Sequence, residues 1–396
     1  MRELLRGRLD QVSETGRQVL AAAAVLGRSF GADAVRMVSG RTEEETVSAL
    51  EEVVRRGLVV ERRFDYDFVH ELQRTLVYDD TGLARRRLLH GRAAQVPGAP
   101  AGAVARHLQL AGRDAEAADA YRTAGLLARE VFANAEAVEH LRAALSLGHP
   151  DRIGLRIAIG DLQTVMGSYA EALLTLETAA SESGPDDLAA VEQRLGRLQY
   201  RRGEYEVAAA HFRAGLEAGR ELGARNASLT ADLSLAAHAL GDARGARELA
   251  DRARELAGGA GDDRTMCQAD NLLGMLATED GDLDDAVIVL GRCREVADRL
   301  GDMDLRVAAL NNLALAHRAR GEHEVAIGLT QEALELCTTT GDRHHEAALH
   351  NNLADLLHLT GESEAAMEHL KKAVQLLAEI GAQEEPRAGI WKLVQW

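Results

Sequence analysis

The stretch LNNLALAHRARGEHEVAIGLTQEALEL, residues 310–336, returns 40 residues later as HNNLADLLHLTGESEAAMEHLKKAVQL, residues 350–376. The two align without a gap on Asn-Asn-Leu, a central glycine and an alanine five residues beyond it. Working outward, the glycine recurs as Gly241, Gly281, Gly321 and Gly361, and the alanine as Ala246, Ala286, Ala326 and Ala366. Seven residues before each glycine stands a small residue, Ser234, Gly274, Ala314 or Ala354, preceded each time by a leucine: Leu233, Leu273, Leu313 or Leu353. The frame extends upstream from Gly203 (Leu195, Gly196, Ala208) and Gly167 (Ile159, Gly160, Ala172). It is legible at Gly112 (Ala105, Ala117) and, less clearly, around Phe132 (Gly125, Ala137). A second series, Gly223, Gly261, Gly301, Gly341 and Gly381, falls between the first. A fixed period of this size marks a repeat architecture.

The physics of the pattern is helical. A small residue before the turn and an alanine after it let two antiparallel helices cross closely. The first glycine series supplies left-handed stops after the first helix of each pair, and the second series ends the second helix. Helices of roughly 15–18 residues are about 25 Å long, and a single pair cannot bury its apolar face, so neighbours must stack. The expected fold is all-α, a solenoid of helix pairs.

Composition agrees. Aromatic residues are 3% of the 396 and prolines number 5, which disfavours a β-sandwich or barrel, while 46% hydrophobic residues suffice for a core. The formal charge of -17 makes nonspecific attraction to nucleic acid or anionic lipid unfavourable. Cys267, Cys293 and Cys337 form no Cys-x-x-Cys pair and cannot all pair with one another, which points to a reducing compartment. No run of 18 apolar residues occurs and MRELLRGRLD is charged throughout, so the expected location is cytoplasmic, without a signal peptide. The basic residues are 43 Arg and 3 Lys, read as a coding bias.

Residues 1–96 do not fit the repeat. Ser13 can cap a helix running to Gly27, and Thr42 with Glu45 forms a capping box for one ending near Gly57. LVVERR and FDYDFV read as a hairpin, followed by helices from His70 to Tyr78 and from Leu83 to Val96. Helices followed by a hairpin are the outline of a winged helix. The segment is nearly neutral, 16 Arg against 15 acids. The reading in domains is a winged-helix-like cap at 1–96, a linker at 97–103, repeats at 104–381 and a C-terminal capping segment at 382–396.

The residues of the repeat resemble the tetratricopeptide repeat, whose consensus carries a small residue, a turn glycine and an alanine at these offsets. The resemblance covers about residues 99–381 and implies a right-handed superhelix of about eight helix pairs. The spacing of 40 exceeds the usual 34, as in the kinesin-light-chain-like subclass, which also shows Asn-Asn-Leu; the proline that usually closes each repeat is missing. RLDQVSETGRQVLAAAAVLGRSF, ALEEVVRRGLVVE, DFVHELQRTLVY and RRRLLHGRAA look like the winged-helix segment of bacterial STAND-type ATPases, including large LuxR-type regulators. In that family Val-His-Glu at 69–71 would take the place of the Met-His-Asp motif, which makes His70 the nucleotide-sensing position. No Walker A motif is present, and no lysine precedes Lys371, so ATP hydrolysis is not expected.

Candidate sites divide into functional and structural readings. His70 either senses nucleotide across an interface or anchors the hairpin to the next helix. Arg85, Arg86, Arg87 and Arg92 either meet phosphates or form a solvated or ion-paired face. The helix opening with Glu43, Glu44 and Glu45 would aim acids at a phosphate backbone, so direct nucleic-acid binding is not expected. His345-Glu346 and His350 are spaced five apart and do not share a helix face, so the zinc-protease motif fails, and neither a metal nor a cofactor is expected. No catalytic constellation emerges.

Asn271, Asn311 and Asn351 stand at one register, and Asn is a poor helix-interior residue by up to about 0.7 kcal/mol relative to Ala. They either hold a partner's backbone in the concave groove, where tetratricopeptide arrays place this register, or bond adjacent helices. Arg318, His358 and Gln268 would line the same groove. The expected function is non-enzymatic: a protein-interaction or sensor module of a bacterial signalling or transcriptional regulator. A protein or peptide partner would bind in the groove, and an ATPase domain would be supplied in trans, with no membrane partner. The alternative is a free-standing scaffold or adaptor unrelated to ATPase control.

Overall fold

The computed structural model describes residues 7–220 and 223–381, so the expected capping segment 382–396 lies outside the described residues. The chain divides into two compact units, Met1–Glu130 with Glu139–Pro150, and Val131–Val138 with Asp151–Trp396.

The first unit opens with α1 (Glu14–Leu26), β1 (Ser29–Phe30), α2 (Ala32–Ser39), α3 (Glu43–Arg55), β2 (Val59–Glu61) and β3 (Tyr66–Phe68). Ser13 Oγ accepts the Gly16 N–H at 3.0 Å and starts α1. The Thr42–Glu45 capping box is present, with the two backbone N–H groups accepted at 3.0 and 3.3 Å. The strands form one antiparallel sheet in the order β1-β3-β2. Val59 pairs with Phe68, and Phe30 with Tyr66. α1 is buried along almost its whole length from Val19 to Val25, and Leu50, Val53, Leu58 and Phe68 close the core around it. α4 (Glu71–Asp80) and α5 (Leu83–Ala93) follow, close to the helices expected from His70 and Leu83, although α5 stops three residues short of Val96. β1 was not expected; two residues are too short to show alternation. The unit continues into α6 (Ala101–Leu110) and α7 (Asp114–Glu130), and α8 (Asn134–Ser146) ends in it.

The second unit is a stack of helix pairs. The first helices of the pairs are α9 (Arg152–Val165), α11 (Pro185–Arg201), α13 (Gly223–Ala239), α15 (Asp263–Asp280), α17 (Met303–Ala319) and α19 (Arg343–Leu359). The second helices are α10 (Tyr169–Glu182), α12 (Tyr205–Ala218), α14 (Ala243–Ala260), α16 (Leu283–Leu300), α18 (His323–Thr340) and α20 (Ser363–Gly381). Gly167, Gly203, Gly241, Gly281, Gly321 and Gly361 all have φ between 77° and 89°, where a side chain would strain the backbone. Phe132 holds the equivalent left-handed position at φ 58°, which is why the frame blurs there. Of the second glycine series, Gly261, Gly301 and Gly341 are left-handed caps, whereas Gly223 begins α13 instead of ending a helix. Each of those three caps is followed by an aspartate, and Asp262, Asp302 and Asp342 accept the N–H three residues on at 3.0–3.1 Å. The dipeptide Gly-Asp thus stops one helix and starts the next.

The small residues act as their spacing requires. A Cβ built on Gly196 would lie 2.4 Å from the ring of Phe212, and one on Gly274 would lie 2.6 Å from Leu290 Cγ. Backbone and side chain therefore interlock within each pair, and Leu176, Phe212 and Leu290 are wholly buried.

Candidate ligand-binding groove

The faces of α11, α13 and α15 that meet one another carry a connected polar network. Its centre is Asp232 on α13, only 3% exposed. It accepts from Gln193 Nε2 at 2.6 Å and Arg197 Nε at 2.8 Å on one side, and from Gln268 Nε2 at 2.7 Å on the other. Ser228 Oγ also receives Gln193, at 2.7 Å. A buried carboxylate is tolerable only when paired and hydrogen-bonded in this way. Burial opposes the charge of Arg197, but Asp232, with Asp161 and Asp304 behind it, more than compensates and raises its pKa.

Further along, the asparagines differ in their bonding. Asn311 Oδ1 accepts from Asn352 Nδ2 at 2.8 Å, a bond between α17 and α19. Asn271 Oδ1 and Asn351 Nδ2 are buried with no hydrogen-bond partner, as is Gln268 Oε1. Asn351 itself is buried, whereas Asn271 and Gln268 are half-buried. Arg318 stands 3.6 Å from Asp355, and His358 acts on the same carboxylate electrostatically. Burial raises the Asp355 pKa against the pull of Arg318 and His358. The network residues Gln193, Arg197 and Asp232 and the bridging Asp355 escaped the sequence reading. Their signal was available, since Gln193 and Asn271 share one register and Arg197 and Asp355 another.

A second cluster joins parts of the unit that are far apart in sequence. Arg201 at the end of α11 grips Asp342 with both terminal nitrogens, at 2.9 and 2.7 Å. His345 Nδ1 lies 2.9 Å from the same carboxylate. Tyr169 OH meets His344 Nδ1 at 2.9 Å, and Asn134 Nδ2 donates to Thr340 O at 2.8 Å across 206 residues. Ile380 packs over Gly167. Burial would raise the Asp342 carboxyl, but Arg201 and then His345 hold it well below the usual range. Burial, aided by Arg201 and His345, lowers His344 to about 3. These contacts form a clasp that ties the first helix pairs of the unit to the last.

In the first unit His70 is exposed, and its backbone N–H donates to Gln73 Oε1 at 3.1 Å at the start of α4. The arginine cluster is partly spoken for. Arg92 Nη1 donates to Val38 O and Ser39 O at 3.1 and 3.0 Å, closing α2, and Arg86 lies over the Tyr78 ring at 5.0 Å. Among the described residues no group of three or more His, Cys, Asp or Glu could hold a metal ion. No helix among them is long and apolar enough to cross a membrane.

With the stacked pairs and their turn geometry in view, residues 265–338 and 305–379 match the family model of the tetratricopeptide repeat. Residues 265–379 are tetratricopeptide repeats. No curated protein sequence matches the chain. Among solved structures, the chain is similar to a signal transduction ATPase with numerous domains (STAND) bearing a tetratricopeptide repeat sensor, from Pyrococcus horikoshii. That pair is 13% identical at a TM-score of 0.53, covering 98% of this chain and 61% of the other. The chain therefore spans about three-fifths of that ATPase. A Rap protein complexed with competence and sporulation factor is 14% identical at a TM-score of 0.55, covering 96% and 99%. The Rap conjugation gene regulator of plasmid pLS20, in complex with a Phr peptide, is 13% identical at 0.55, covering 93% and 96%. At such identities the likeness is one of fold.

Proposed function

We propose that this protein is a non-enzymatic sensor or interaction module that binds a peptide or protein segment along the faces of α11, α13, α15, α17 and α19. The observation that carries this reading is the set of amide atoms at Gln268, Asn271 and Asn351, buried and without partners. An unpaired buried polar atom costs about 1–3 kcal/mol, and a side-chain rotation would bring these amides out to a partner's backbone. Two of the structural relatives are complexes with a peptide or signalling factor, in keeping with the reading.

The finer reading is a regulator of bacterial signalling or transcription whose ATPase partner acts in trans. Residues 1–96 would be a winged-helix cap, joined by residues 97–103 to a right-handed array of about eight pairs at 104–381, with His70 at the ATPase interface. The element order α1-β1-α2-α3-β2-β3 and the sheet order β1-β3-β2 support the cap. The likeness to a STAND protein with a repeat sensor supports the setting. Groove binding would then shift the cap. The protein would be cytoplasmic and would not touch nucleic acid directly.

The test is affinity capture from bacterial lysate with and without ATP, using the full chain and its Asn271→Ala/Asn351→Ala double variant. A P-loop ATPase or a transcription component captured by the parent and lost in the variant, with helicity unchanged, supports the reading. Capture that the variant retains removes the groove from the mechanism. An ATP-indifferent partner still lost in the variant favours the scaffold alternative.

A further inference from the structure

Between Asp80 and Asp114 the sequence carries no carboxylate. Those 33 residues hold six arginines and two histidines, in a chain with 63 Asp and Glu among 396 residues. They form α5 and α6 of the first unit. Two of the six arginines are engaged within the unit. Arg92 donates to Val38 O and Ser39 O, and Arg113 donates to Glu116 Oε1 at 2.6 Å. Arg86 and Arg106 form no ion pair among the described residues, and Arg106 is exposed.

The fold brings these two arginines to one pair of imidazoles. His90 Nδ1 on α5 lies 2.9 Å from His107 Nδ1 on α6, and His90 Nε2 lies 2.9 Å from Tyr78 OH on α4. Burial, then His107, Arg106 and Arg86, lowers His90 to about 4, and burial with Arg106 lowers His107. Arg106 also acts on Tyr121 of α7. Every charge acting on the two rings is therefore positive. The second histidine pair, His350 and His369 at 2.8 Å, differs in this respect, because Glu368 acts there beside Lys372. Like charges gathered without a counter-charge repel one another, and an anion would be their missing partner.

The hydrogen-bonded chain gives the site a direction. With the Tyr78 hydroxyl donating to His90 Nε2, His90 donates from Nδ1 to His107 Nδ1, and the proton of His107 rests on Nε2. His90 is 2% exposed and has both nitrogens taken. His107 is half-buried, and its Nε2 has no hydrogen-bond partner among the described residues. The outer end of the chain is thus an N–H donor flanked by Arg106 and Arg86, the latter held over the Tyr78 ring at 5.0 Å.

Two guanidinium forks and one imidazole N–H suit a particular anion. A phosphate group offers three acceptor oxygens and close to two negative charges, whereas a carboxylate offers two oxygens and one charge. The formal charge of -17 on the whole chain repels a long polyanion, so the phosphate would arrive on a small molecule.

Independently of the groove, we propose that Arg86, Arg106 and His107 form a binding site for the phosphate group of a small molecule, with Tyr78 and His90 positioning His107.

Calorimetric titration of the full chain with inorganic phosphate, pyrophosphate and acetate, at pH 7 and fixed ionic strength, tests this. Saturable binding of a phosphate probe and none of acetate is expected. Saturation by inorganic phosphate identifies the free ion as sufficient, and saturation by pyrophosphate alone identifies a phosphate carried on a larger molecule. Arg106→Ala should weaken binding by about tenfold or more, the loss of a charged hydrogen bond, and Arg106→Lys by less. Lys372→Ala, at the other histidine pair, should bind like the parent. Because Arg106 is exposed, melting temperature and helicity should be unchanged in its variants. The inference is overturned by an absence of saturation at millimolar probe, by acetate binding equally well, or by affinity that survives Arg106→Ala. A DNA duplex that outcompetes pyrophosphate overturns it too, since the ligand would then be a nucleic acid.

Discussion

Changing Asp342 to Asn removes the negative half of the clasp while keeping its shape. The carboxylate is 3% exposed and the Arg201 guanidinium 18%. Removing one member of a buried pair leaves the other charged and uncompensated, at a cost of about 3–5 kcal/mol. Asn still accepts the His345 N–H and starts α19, so the cap contribution of about 1 kcal/mol is retained. Arg201 keeps some access to water, which places the expected loss near the lower bound, about 3 kcal/mol. Arg201→Met strands Asp342 but leaves His345 as its partner at 2.9 Å, so its cost should be somewhat smaller. The double variant should cost less than the sum of the two singles by about 2 kcal/mol, because neither charge then remains alone. Urea unfolding at pH 7 followed by far-UV circular dichroism gives the stabilities, and hydrogen exchange of residues 340–345 locates the loss. A cost below about 0.5 kcal/mol for Asp342→Asn, or additive single costs, would refute the reasoning.

Acidification should weaken the fold well before carboxylates protonate. His344 is lowered to about 3, and His90 and His350 to about 4, against an ordinary 6.5. Burial is the first cause in all three. The unfolded chain therefore binds more protons below pH 6.5, and stability falls as pH drops from there towards 4, by about 1–2 kcal/mol per histidine at pH 5. Asp342 works in the same direction from about pH 5 downward, as its carboxylate begins to protonate in the unfolded chain. Equal urea midpoints at pH 7 and pH 5 would count against this account. Gly274→Ala should cost about 1–3 kcal/mol by driving a methyl into Leu290. Gly328→Ala, in α18 with nothing within 4 Å of the new methyl, should gain up to about 1 kcal/mol, and thermal melts of the pair should move in opposite directions.

The helix pairs were legible because one register does one job. Gly281 must adopt a left-handed φ and Gly274 must admit Leu290, and neither tolerates much variation. The asparagine register was legible as a constraint but not as a role. Asn311 finds Asn352 while Asn271 and Asn351 leave atoms unpaired, and only the relative placement of neighbouring helices decides which. The clasp was hidden for a different reason. Arg201 and Asp342 are 141 residues apart, and their meeting depends on small rotations summed over every pair between them. No local periodicity records such a sum. β1 was lost at the opposite extreme, too short at two residues to carry a pattern.

An ordinary solenoid can grow or shrink by whole units, because each repeat touches only its neighbours. The clasp withdraws that freedom from part of this chain. Inserting or deleting one 40-residue unit between Arg201 and Asp342 would carry the arginine past its carboxylate, Tyr169 past His344 and Asn134 past Thr340. Duplication, the usual route by which repeat proteins change length, is therefore closed inside that interval.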